Sequence, residues 1–86
     1  MLIFAIDDEP PMLRDAERVI RKAAPDAALM TFELASEAIT AISEQSLVPD
    51  IVFCDIEMPG LSGLEFAVRL KTLSPETRIV FVTGYD

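Results

Sequence analysis

Three short apolar runs constrain this chain more than anything else in it: Leu2–Ile6 (LIFAI), residues 51–54 (IVFC) and residues 79–82 (IVFV). Each is continuous rather than alternating and rich in Ile, Val and Phe. That pattern suits strands buried on both faces, as in a parallel sheet. Residues 28–33 differ. There Ala28, Met30 and Phe32 alternate with Leu29, Thr31 and Glu33, a weaker pattern that suits an edge strand.

Helical patterns fill the gaps between the runs. In the first, Leu13, Ala16, Ile20 and Ala23 recur at spacings of three and four, with Val19 beside them and Arg14, Asp15, Glu17, Arg18, Arg21 and Lys22 on the other faces. Pro25 ends it, because a proline pushes the residue before it out of the helical region. The second covers about residues 36–46, with Ala38, Ile39 and Ile42 inward. The third opens on Ser62-Gly63-Leu64-Glu65, a capping box, with Leu64, Ala67 and Leu70 as its apolar stripe, and closes at Ser74-Pro75. The order β-α-β-α-β-α-β implies right-handed crossovers and a doubly wound α/β sheet of flavodoxin-like strand order, 2-1-3-4. There is no internal repeat and no linker, so residues 1–86 read as one domain.

Composition narrows the chemistry. Fifteen acids against seven bases give a net charge of −8, which repels nucleic acid and anionic lipid. No apolar stretch approaches the ~20 residues of a membrane span, and no signal peptide is apparent. The absence of histidine removes triads, imidazole acid–base catalysis and the usual zinc sites. Cys54, the sole cysteine, reads as a small buried hydrophobe in a reducing, cytoplasmic setting.

What remains is carboxylate chemistry. Strands of a parallel sheet end on one edge, where ligands bind. Asp7 and Asp8 close the first strand, Asp55 the third and Thr83 the fourth. Carboxylates brought that close need a proton or a cation to offset their repulsion. A hard divalent ion fits, and Mg²⁺ best, since it takes a few carboxylates and completes its shell with water or phosphate oxygens. Each piece has a plainer reading: Asp7-Asp8-Glu9 as a helix cap, Asp55 as a turn residue, Thr83 as a strand residue. The joint arrangement favours the site.

These residues resemble the receiver domains of bacterial response regulators, which share the CheY-like fold. The resemblance rests on "IDDE" after the first strand, "DIEMPGLSGLE" after the third and "IVFVTGYD" through the fourth, and it covers the whole chain. "FCDIEMPGLSGLEFA" with "FVTGYD" further resembles receivers that precede a LytTR-type DNA-binding domain, hence transcription regulation. The resemblance implies that Asp55 is the phosphoacceptor for a sensor histidine kinase. It implies that Asp8, Asp55 and the Glu57 carbonyl hold Mg²⁺, with Asp7 acting through water. It makes Thr83 the residue that bonds the phosphoryl group and switches, and gives the remaining oxygens to the amides of Glu57 and Gly84. Such a domain is a signalling module rather than an enzyme.

Complete receivers continue through a fourth helix, a fifth strand ending in a lysine, and a fifth helix. This sequence has no counterpart, so it reads as a receiver truncated after its fourth strand. The fourth-strand edge is then expected to be bare and to favour a homo-oligomer or swapped dimer. Two alternatives stand beside the phosphoacceptor. One is a pseudo-receiver that binds partners without phosphorylation. The other is a Mg²⁺-dependent aspartyl phosphatase of the haloacid-dehalogenase type, which would want an aspartate where Glu57 stands. The basic cluster on the first helix reads either as a kinase docking face or as a solvated face paired with Asp15 and Glu17.

Overall fold

The structure, a computed structural model, describes residues 1–56 and 62–82. Its elements are β1 (Leu2–Ile6), α1 (Pro10–Ala23), β2 (Ala28–Phe32), α2 (Ala35–Gln45), β3 (Ile51–Asp55), α3 (Gly63–Leu73) and β4 (Arg78–Val82). The strands form one sheet in the order β2-β1-β3-β4, and every neighbouring pair is parallel. This is the expected 2-1-3-4 order, with β2 at one edge and β4 at the other. The run 79–82, expected to be buried on both faces, is covered on one only, with Ile79 and Phe81 packed against the core and Val80 and Val82 exposed.

The two central strands explain their own composition. In β1, Phe4 and Ile6 face α2 and α3, joining Val52, Cys54, Ala38, Ile42, Phe66 and Leu70 in the larger core. Ile3 and Ala5 face α1 and meet Leu13 and Ile20, with Phe53 packed against them. A strand with helices on both sides has no polar face to keep, hence the unbroken runs. The α1 layer is thinner. Met12 and Val19 stay exposed, and an apolar groove of about 500 Å³ runs between α1 and the sheet, floored by Ile51, Phe53 and Val82. Ala23, expected inward, is exposed at the last turn of α1.

Helix ends follow local chemistry. Glu9 caps α1 without a side-chain bond, but Pro10 and Pro11 have no N–H groups that need a partner. In α3 both halves of the capping box form: Glu65 N–H donates to Ser62 Oγ and Ser62 N–H to Glu65 Oε1, each at 3.2 Å. The buried face of α3 departs from the expected stripe. Leu64 is 62% exposed, while Phe66 and Leu70 are fully buried. Gly63, Phe66 and Leu70 lie at spacings of three and four and share one face, whereas Leu64, Ala67 and Leu70 advance by threes and drift around the helix.

The edge of the sheet at the strands' N-terminal ends is stapled. Asp50 Oδ2 accepts the Leu2 N–H at 2.8 Å. Leu2 O and Asp50 O then accept from Asp50 N–H (2.8 Å) and Arg78 N–H (3.0 Å). Thr77, buried, donates to Pro49 O at 2.6 Å and contacts Ser74 Oγ at 2.6 Å. With that end fixed, the strands act as rods whose far ends hold their side chains in set positions.

Candidate functional site

At the far ends, register brings the acids together. Ile6 pairs with Cys54, so the next residues along two parallel strands, Asp7 and Asp55, stand side by side, and Asp55 pairs in turn with Val82. Asp7 N–H still donates to Phe32 O at 3.1 Å, extending the β1–β2 ladder by one residue. The chain then turns. Asp7 Oδ1 accepts the Glu9 N–H at 2.9 Å, an Asx-type bond that fixes the carboxylate. One carboxylate oxygen from each of Asp7, Asp8 and Asp55 lies within 4.8 Å of the others, and all three residues are half-buried.

Electrostatics at this spot are strained in one sense. Burial raises the Asp7 pKa above 3.8; the Glu9 N–H opposes this, and the charges of Asp55, Asp8 and Glu9 reinforce it. Cys54, fully buried, is pushed up to about 12 by burial and then by Asp55 and Asp7. It stays a thiol, with Sγ 3.3 Å from Asp55 O, which agrees with a small buried hydrophobe.

Three clustered carboxylates supply oxygen donors and negative charge, the donor set for a hard divalent cation and not for a soft one. Mg²⁺ fits these residues. Asp8 also borders a shallow depression lined by Thr31, Glu33 and Glu37, which keeps the surroundings negative. Of the sequence-derived site residues, Asp7, Asp8 and Asp55 are brought together. Thr83, Glu57 and Gly84 lie outside the described residues, as does the Pro59-Gly60 turn. Sequence reasoning missed the Glu9 amide that holds Asp7. An acid two residues before the N-cap Glu9 was the available signal.

Comparison with known proteins gives this geometry a family. The family description for the response regulator receiver domain matches residues 3–86. The chain belongs to the response regulator receiver domain family. Among curated receivers it is 41% identical over 86 residues to an uncharacterized response regulatory protein of Yersinia pestis, and 38% identical over 87 residues to the transcriptional regulatory protein BtsR of Salmonella typhi. In each case the alignment covers 98% of this chain and 34% of the relative, so the chain spans about a third of the length of these proteins.

Among solved receivers, the response regulator TrrA of Thermotoga maritima superposes with a TM-score of 0.83 at 30% identity, covering 99% of this chain and 70% of TrrA. TrrA was solved with Mg²⁺-BeF and, separately, in complex with the histidine kinase ThkA. The receiver fold is therefore common to both, through the fourth strand. Among the described residues no helix is long and apolar enough to cross a membrane.

Proposed function

We propose that this receiver accepts a phosphoryl group on Asp55 from a sensor histidine kinase, in a Mg²⁺-dependent reaction in the cytoplasm. The observation that carries the reading is the convergence of Asp7, Asp8 and Asp55 at one sheet edge. The Mg²⁺-BeF and kinase complexes of TrrA support it by family likeness. An Asp55 carboxylate oxygen forms the bond to phosphorus while the P–N bond of the kinase phosphohistidine breaks, its electron pair leaving on the imidazole nitrogen. Asp8 and Asp55 would hold the metal, and by the family resemblance the Glu57 carbonyl would join them and Asp7 would act through water. When bound, Mg²⁺ neutralises charge building on the phosphoryl oxygens. By the same resemblance, Thr83 and the Glu57 and Gly84 amides would serve those oxygens, and Thr83 would relay the change. The chain's own task is positioning, as phosphoryl transfer generally requires.

Incubation with acetyl phosphate and Mg²⁺ should add one phosphoryl mass to the intact protein, and EDTA should prevent it. No gain under any metal condition would sink the reading and favour a phosphorylation-independent pseudo-receiver. Steady release of phosphate from phosphomonoesters would favour the phosphatase instead. By its relatives' names, the receiver serves a transcriptional regulator, of LytTR type by its motifs. With a net charge of −8, it leaves DNA contact to another part of such a protein.

A second partner is another copy. β4 is paired on one side only among the described residues, and Val80 and Val82 are 43% and 46% exposed. An edge of this kind pairs with another strand unless a charge guards it. Sedimentation should show dimers that strengthen with salt, as screening weakens the mutual repulsion of the chains. Val80→Lys should return them to monomers, and a wild type monomeric at every concentration would refute the contact.

A further inference from the structure

Gly63, the first residue of α3, stands where the chain returns to the strand it left at Ile56. Its N–H donates to Ile56 O at 3.2 Å, and it is buried. A Cβ at this position would stand 2.8 Å from Ile56 Cα, 3.0 Å from Asp55 O and 3.1 Å from Ile56 O. All three are backbone atoms, which cannot swing aside as a side-chain tip does.

Which partner would yield is decided by what holds each. α3 is held by its capping box and by Phe66 and Leu70, both fully buried in the larger core. Backing away would pull Phe66 out of that core. β3 is held in register through Asp55, but Ile56 is already outside the strand. A methyl group on residue 63 would therefore press on the Asp55–Ile56 peptide, which is bonded to the Asp55 Cα that carries the side chain.

We infer that Gly63 is a positioning residue for Asp55: lacking a side chain, it lets the first turn of α3 seat on the Asp55–Ile56 peptide and so sets the Asp55 carboxylate against Asp7 and Asp8. The inference rests on the phosphoacceptor reading and deepens it. Gly63 touches no substrate; it acts through the backbone. The requirement is for space and not for an unusual backbone conformation.

The test uses the 86-residue chain, with Mg²⁺ alone as probe and backbone amide NMR as readout. Gly63→Ala is compared with wild type and with Thr77→Val, which loosens the opposite edge of the sheet. Gly63→Ala should shift the Asp55 and Ile56 amides and raise the Mg²⁺ Kd about tenfold, the scale seen when support behind a metal ligand is lost. Phosphoryl uptake from acetyl phosphate should slow in proportion. Thr77→Val should lower the urea midpoint but keep the Mg²⁺ Kd within about twofold, as expected for a distant, independent position.

An unchanged Mg²⁺ Kd in Gly63→Ala, with wild type binding normally, overturns the inference and leaves the phosphoacceptor reading standing. A wild type that neither responds to Mg²⁺ nor takes up a phosphoryl group overturns both. If Gly63→Ala is unfolded in plain buffer, sucrose or TMAO, which favour the compact state, allows the same comparison. If it remains unfolded there, Gly63 serves the whole fold and not Asp55, and the inference is overturned.

Discussion

Phe66→Ala should bring this domain to the edge of unfolding at 25 °C. Phe66 is fully buried and packs in the larger core with Phe4, Val52, Cys54 and Leu70. Truncating a buried phenylalanine removes its transfer free energy and leaves a cavity, about 3–5 kcal/mol together. A domain of this size has roughly 0.05–0.15 kcal/mol per residue to lose, so the loss takes a large part of the total. The urea midpoint should collapse accordingly. Leu64→Ala and Val68→Ala, on either side of it in α3, should each cost under about 0.5 kcal/mol, as surface changes do, since these residues are 62% and 70% exposed. The reverse ranking would mean that α3 turns its Leu64–Val68 face, and not Phe66, into the core.

Asp8→Asn should cost the metal site far more than it costs the fold. Asp8 is one of three carboxylates whose oxygens lie within 4.8 Å, and Glu33 and Glu37 face the same depression. Like charges that close repel one another until a cation arrives. Removing one charge lowers both the repulsion and the reward for binding the ion. Mg²⁺ affinity should fall by at least about tenfold, because even losing a residue behind a ligand costs that much. Phosphoryl uptake should fall with it. In EDTA, the same variant should melt no lower than wild type. Calorimetric titration with Mg²⁺ checks the first part and a thermal scan the second. Unchanged Mg²⁺ affinity would remove Asp8 from the site.

The same residues show how far the chain could be read in advance. The strands were legible from their apolar runs, but a strand covered on both faces describes β1 best; in β3, Ile51 and Phe53 are only partly buried, and in β4, Val80 and Val82 are exposed. The acid cluster was legible because parallel strands end on one edge, so a carboxylate closing each of two neighbours must meet another. The rotation of α3 was not. Its apolar residues, Leu64, Phe66, Ala67, Val68 and Leu70, surround much of the helix, and periodicity alone leaves more than one face eligible. The close seat of Gly63 on the Asp55–Ile56 peptide, a tertiary contact, selects the Phe66 face. The bond from the Glu9 amide to Asp7 was hidden for a similar reason. The acids before Pro10 suited a helix cap as well as a metal site, and Asp7 in fact accepts an amide at the helix start while its carboxylate lies in the cluster.

The most direct measurement is to locate the phosphoryl group. After reaction with acetyl phosphate and Mg²⁺, peptide mass spectrometry should find it on Asp55 alone, and Asp55→Asn should take up none while still folding. A phosphoryl group on Asp7, Asp8 or any other residue, or undiminished uptake in Asp55→Asn, would contradict the account.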